Sequence, residues 1–271
     1  MGAAAFVVAG AGAGALASVG ATEVGMTVMG GAGSTPAPAI NTVVLPNWAG
    51  PVVYGSTYDE VATTFVVPQA TCSLDRAATD ASFWAGFDGA GAPGGSATLE
   101  QAGVRVSCQA GSAQYVAWTE QYPAGEDDIN PAQFSVQPGD TVTVDAAARD
   151  ATDTYTIRDV TSGTSFTRTS RVPAGATDAS AECIAEAPEH GTALNTYYPL
   201  TDFGTVTFSQ CAAHAAAPVA GDCQVVTGQG CPAASQILYS TIGNSETHPT
   251  NTQANFAATQ SGAFTVTWNH S

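Results

Sequence analysis

Along most of the chain apolar and polar residues alternate one by one in short runs, the period of a β-strand rather than of a helix. Thr63-Thr64-Phe65-Val66-Val67, Thr141-Val142-Thr143-Val144, Thr154-Tyr155-Thr156-Ile157, Gly204-Thr205-Val206-Thr207-Phe208 and Ala263-Phe264-Thr265-Val266-Thr267-Trp268 are of this kind. Turn signals such as Pro138-Gly139-Asp140 and Ser162-Gly163 separate them, and no long 3.6-period segment intervenes. Many short strands at this spacing predict an all-β antiparallel sandwich. One domain over residues 41–271 is expected, with an Ala-rich loop insertion at about 212–235 before the final strands. Ahead of it, residues 2–18 are Gly/Ala-rich and end in Ala15-Leu16-Ala17, like the apolar region and cleavage site of a secretory signal, although no basic residue precedes them. The Gly/Ser/Thr/Pro-rich stretch up to residue 40 reads as a linker or short pro-segment.

Several strands break the apolar pattern with side chains capable of chemistry. In Ala181-Glu182-Cys183-Ile184-Ala185-Glu186, alternation puts Glu182, Ile184 and Glu186 on one face and Cys183 with Ala185 on the other. In Leu99-Glu100-Gln101-Ala102-Gly103, Leu99, Gln101 and Gly103 share a face, and Glu100 joins Ala102, Val104 and Val106 on the opposite one. Trp84, Gly86 and Asp88 form the polar face of Phe83-Trp84-Ala85-Gly86-Phe87-Asp88, while Trp118, Glu120 and Tyr122 share a face further on. With Trp48 near the amino end, aromatic rings alternate with carboxyls as in a groove that grips an extended polymer, peptide or sugar.

Composition narrows the setting. Of 271 residues 23 are Asp or Glu and only 6 are basic, all arginine, for a formal charge of −17 at pH 7. Nucleic acid and anionic membrane surfaces need clustered Lys and Arg and are poor partners. In acid the six arginines, four histidines and amino terminus limit the positive charge to 11, so self-repulsion is weak at low pH and grows toward neutrality. That balance suits an acidic medium. The six cysteines (72, 108, 183, 211, 223 and 231) show no metal-binding spacing and point to disulfides in an exported protein. Cys223 and Cys231 close a short Gly-containing loop and are the pair that proximity favours, while Cys183 is a disulfide partner or a core residue.

The ordered set Asn47-Trp48-Ala49-Gly50, Phe83-Trp84-Ala85-Gly86-Phe87-Asp88-Gly89, Gln101-Ala102-Gly103-Val104, Ala117-Trp118-Thr119-Glu120-Gln121-Tyr122-Pro123, Gly139-Asp140, Ala181 to Glu186 and Phe264 to Trp268 resembles the glutamic peptidases, or eqolisins. The resemblance implies a concanavalin-like sandwich of two large antiparallel sheets and a secreted, monomeric, pepstatin-insensitive acid endopeptidase. It implies no metal, cofactor, nucleic-acid partner or stable membrane association. Carried over position by position, Gln101 and Glu186 become the catalytic pair. Trp48, Trp84, Asp88, Trp118, Glu120 and Tyr122 become groove residues acting on a protein or peptide substrate, and Glu182 a supporting group. Thr119 and Gln121 depart from the family's aromatics, Ala187-Pro188-Glu189 lacks its usual aromatic, and Glu100 stands where an apolar residue is typical.

Peptide hydrolysis needs an activated water, a donor for the oxyanion and a proton for the leaving amine. Glu186 can start as the base or as the acid, and Gln101 can donate its amide to the oxyanion at any pH. A carbohydrate-binding or carbohydrate-hydrolysing sandwich, with Glu182 and Glu186 as a carboxyl pair, is the rival reading, and a peptide-binding protein without activity is another. Gln101 has no required part in a two-carboxylate glycosidase.

Overall fold

The strands predicted from alternation pair into one hydrogen-bonded path that doubles back over itself. The computed structural model describes residues 39–74, 77–90, 97–189, 197–217, 220–242, 252–258 and 262–270. The signal-like segment and nearly all of the linker read at residues 1–40 lie outside them. In chain order the strands are β1 (Ile40–Leu45), β2 (Trp48–Tyr54), β3 (Thr57–Val66), β4 (Thr79–Asp88), β5 (Leu99–Gln109), β6 (Ser112–Tyr122), β7 (Glu126–Asp128) and β8 (Thr141–Arg149). They continue as β9 (Thr152–Asp159), β10 (Thr164–Arg171), β11 (Ser180–Glu186), β12 (Thr205–Ala217), β13 (Gly221–Gln224), β14 (Gln236–Ile242), β15 (Thr252–Ala258) and β16 (Phe264–His270). No helix occurs among the described residues.

The pairing order is β10-β9-β8-β3-β12-β16-β15-β14-β2-β11-β4-β5-β6-β7, with β1 beside β14 and β13 beside β12. Along this path every pair is antiparallel; β1 alone runs parallel to its partner. Because β3 packs on β4 and β11, and β8 and β9 pack on β5, the two ends of the path face each other as the layers of a sandwich. Alternation decides which side chains go between them. Val142, Val144 and Ala146 of β8 are buried while Thr141, Thr143 and Asp145 are partly exposed. An aromatic column crosses the gap, with Phe65 of β3 6.0 Å from Phe83 of β4 and Phe208 stacked on Phe264 at 4.4 Å.

Cysteines staple the layers. Cys183 of β11 bonds Cys211 of β12 across the sandwich, so it is both a disulfide partner and a core residue. Cys72 bonds Cys108, and the pair expected from proximity, Cys223 and Cys231, is bonded. The stretch read as a loop at 212–235 is in part strand. Residues 212–217 extend β12, with Ala213 and Ala215 buried, and β13 pairs back on it. Alanine has low strand propensity, so composition hid an alternation that burial makes plain.

The other face of β2, β11, β4, β5 and β6, turned away from the main core, carries its own apolar cluster: Leu45, Trp48, Val52, Trp84, Leu99, Trp118 and Ile184. It is this face that holds Gln101 and Glu186.

The Cys183–Cys211 bond closes a loop of 28 residues of sequence separation. Replacing both by alanine is expected to lower stability by about 3–4 kcal/mol, on the loop-entropy account. Urea unfolding of the double variant checks this, and an unchanged midpoint would show that the staple adds nothing.

Candidate active site

Register brings the polar positions into rows across five strands. Glu182 of β11 lies opposite Gly86 of β4, Gly86 opposite Gln101 of β5, Gln101 opposite Glu120 of β6, and Glu120 opposite Glu126 of β7. Next comes Ile184, Trp84, Gly103 and Trp118, and then Trp48, Glu186, Ser82 and Arg105. Glycine is required where this face is most crowded. A Cβ on Gly86 would lie 2.7 Å from Gln101 Cβ and 2.6 Å from the Glu100 carbonyl oxygen. One on Gly103 would lie 2.6 Å from Trp84 Cβ and 3.0 Å from Trp118 Cζ2. Both glycines leave room for the neighbouring large side chains to lie flat across the sheet.

Glu186 sits in a box. It is 1% exposed, its Oε2 accepts from Trp84 Nε1 at 2.8 Å, and its Oε1 accepts from Asn47 Nδ2 at 3.1 Å. Trp48 stands edge-on to Trp84, with ring centroids 5.0 Å apart. Asn47 is held in place because its carbonyl accepts from Ala187 N at 2.9 Å, just past the end of β11. Burial pushes the Glu186 carboxyl up from 4.5 to about 8, the charge of Glu120 pushes the same way, and the hydrogen bonds from Trp84 and Asn47, with the Trp48 indole near but not bonded, oppose them.

Gln101 is fully buried, and its Nε2 donates to Glu120 Oε2 at 2.5 Å while its Oε1 has no hydrogen-bond partner among the described residues. Glu120 therefore touches both halves of the predicted pair, one through a hydrogen bond and the other through its charge. Arg105 shares the face with them but is engaged by Glu126 and, at 3.1 Å, by Asp128. Gln101, bonded to Glu120, and the buried Glu186 carboxyl, two rows away by register, put a fixed hydrogen-bond donor and a proton donor on one sheet face.

The remaining predicted residues divide. Trp48, Trp84 and Trp118 share the face, as alternation requires, and they are buried at 1% exposure or less, with Tyr122 half-buried against them. They form the apolar floor that keeps water from Glu186 rather than an open aromatic surface. Asp88 leaves the row. Its φ of 66° turns the backbone, and its carboxylate accepts from Thr177 N, Thr177 Oγ1, Asp178 N and Ala179 N at 2.7 to 3.1 Å, pinning the chain that enters β11. Glu182 is fully buried; desolvation raises its pKa well above 4.5, followed by the Asp88 charge, which ties it to a different group of acids. Sequence reasoning quoted Asn47 without giving it a role, although its place one residue before the strand that pairs with Glu186 was the available signal.

Residues 46–261 match the model of the peptidase A4 family. Aspergillopepsin-2 from Aspergillus niger is 30% identical over 182 residues, which cover 60% of this chain and 62% of that protein, short of two thirds of its length. The fold is similar to that of scytalido-glutamic peptidase, solved with a transition state analog inhibitor, with a TM-score of 0.63 at 20% identity over 84% of this chain and 100% of that one. It is also similar to aspergilloglutamic peptidase from Aspergillus niger, with a TM-score of 0.54 at 23% identity over 70% of this chain and 99% of that one. At these identities the two likenesses are of fold.

The raised carboxyls fix the sign of the pH dependence. Glu186 at about 8 and Glu100 at about 9 keep their protons in the folded chain, whereas the unfolded chain releases them above 4.5. Asp80 and Asp178, raised to about 6 chiefly by burial, act alike over a narrower range. This stability is complete below the unfolded values and is lost as pH rises through the folded ones. The melting temperature in EDTA is expected to fall by about 10 °C or more between pH 4 and pH 8. A melting temperature that rises over that interval would contradict the protonated carboxyls.

Proposed function

The chain belongs to the peptidase A4 family, and on that footing we propose that it is a secreted acid endopeptidase that works through Gln101 and Glu186, without a metal or a covalent intermediate. The observation that carries the reading is the hydrogen bond from the Gln101 amide to Glu120 on the same sheet face as the buried Glu186, whose neutral form the Glu120 charge favours. Three disulfides suit an oxidising compartment outside the cell. The substrate is a protein or peptide, cut by a monomeric enzyme.

With its carboxyl neutral in acid, Glu186 begins as the proton donor. It gives its proton to the scissile carbonyl oxygen as water attacks the carbonyl carbon, and the carboxylate left behind takes a proton from that water. Glu186 then passes this proton to the amine nitrogen as the C–N bond breaks. The re-forming carbonyl returns a proton to Glu186, so the resting acid is restored. Gln101 donates its second amide hydrogen to the oxygen that gains charge, and its free Oε1 orients the water. Glu120 fixes which way that amide points. Trp48, Trp84 and Trp118 keep the site dry, which strengthens each of these interactions.

Glu186→Gln is expected to lower kcat/KM on acid-denatured casein by about 10³-fold or more, and Gln101→Ala by about 10²–10³-fold, with the fold retained. Activity of the unaltered enzyme is expected in acid and in the presence of pepstatin. Retained proteolysis in either purified variant would overturn the assignment, and cleavage of glucan instead of casein would overturn the substrate class.

A further inference from the structure

At the end of the sandwich where β4 stops and β11 begins, a second set of carboxyls gathers away from Glu186. One carboxylate oxygen each of Asp88, Glu100 and Asp178 lies within 4.8 Å of the others. Glu100 and Asp88 are buried, and Asp178, on the loop entering β11, is partly exposed and opens the group to solvent. Three elements bring them together: β4 through its last residue, β5 through its second, and the segment that the Asp88 carboxylate pins.

An acidic group of this kind is ordinarily a solvated face, but here two side chains cannot be explained that way. Glu100 is completely buried and neither of its carboxylate oxygens has a hydrogen bond of ordinary geometry, the Thr98 hydroxyl standing near. Glu182, outside the group of three, is equally buried, its oxygens have no hydrogen bond of ordinary geometry among the described residues, the Ser180 hydroxyl standing near, and the charges of Asp88 and Glu100 act on it. Asp178 Oδ1 is a further buried oxygen without a partner. Every titratable group that faces the cluster is an acid: Asp88 from β4, Asp153 and Tyr155 from β9, Glu182 from β11, and Asp59 from β3 toward Asp178. Asp59 is itself paired with His214, and the other ion pairs of the described residues lie elsewhere, joining arginines to Asp80, Glu126, Asp128, Glu60 and Asp127. Unpaired carboxylates buried together repel strongly, so the cluster needs either protons or a cation.

We propose that Asp88, Glu100 and Asp178 form a binding site for a hard divalent cation of the size of Ca²⁺. An all-oxygen donor set selects hard cations. Ca²⁺ bonds oxygen at about 2.4 Å, so ligand oxygens up to about 4.8 Å apart can share one ion, a span wider than Mg²⁺ allows. The four donors on Asp88 hold that ligand in place, and the longest of them, from Asp178 N at 3.1 Å, is the one that a bound ion would weaken. The site binds no substrate and stands independently of the Gln101–Glu186 reading.

The test is thermal unfolding of the full chain at about pH 7 in EDTA, in millimolar CaCl₂, and in MgCl₂ of equal ionic strength. CaCl₂ is expected to raise the melting temperature by about 5 °C or more over EDTA. MgCl₂ is expected to do less. The shift is expected to be lost in Glu100→Gln and in Asp178→Asn; the latter lies on a loop and spares the core. Equilibrium dialysis of the unaltered chain with ⁴⁵Ca²⁺ reads the same site without a variant, and one ion per chain is expected. No shift and no retained ion would overturn the proposal. So would a shift of the same size in both variants, because the ion would then act on the overall negative charge.

Discussion

The structure turns on the burial of one carboxyl. Glu186 lies under two tryptophans at the end of β11, held by Asn47 and Trp84, with the charge of Glu120 nearby. At 1% exposure its ionised form is penalised and its neutral form is favoured. Much of the surrounding architecture serves that placement. Gly86 and Gly103 clear space for Gln101 and the tryptophans, and the Cys183–Cys211 bond anchors the same strand to the opposite sheet. The apolar cluster on this face is separate from the main core, so one sheet packs the core on one side and holds the Gln101 and Glu186 face on the other.

The same physics explains the composition. Four buried carboxyls, at Glu186, Glu100, Glu182 and Asp80, and the partly exposed Asp178 have their neutral form favoured chiefly by desolvation. A fold that stores protons in this way is most stable where protons are plentiful. The composition agrees, since a chain with 23 acids and 6 arginines sheds its −17 charge in acid and gains at most a smaller positive one there. Interior and exterior thus favour the same medium.

Strand alternation made much of this legible before any coordinates. The partition of Leu99, Gln101 and Gly103 from Glu100, Ala102 and Val104, and of Glu182, Ile184 and Glu186 from Cys183 and Ala185, reproduces the two faces of the sheet. What alternation cannot reveal is depth. Trp48, Trp84 and Trp118 share the expected face, yet they are buried, because whether a strand face is open depends on what lies over it. Nor can it anticipate a broken backbone, and the positive φ at Asp88 took that carboxylate out of the row. The acid cluster was illegible for a different reason. Its members come from positions 88, 100 and 178, and only the folding of β4, β5 and the entry to β11 onto one end of the sandwich joins them.

The most direct measurement is the titration of the Glu186 side chain itself, by ¹³C NMR of the glutamate-labelled chain, with Glu186→Gln used to assign the signal. The account predicts a carboxyl midpoint near 8, well above the ordinary 4.5, that moves downward when Glu120→Gln removes the neighbouring charge. A midpoint near 4.5, or one indifferent to Glu120, would contradict the claim that burial beside Glu120 holds Glu186 as a proton donor.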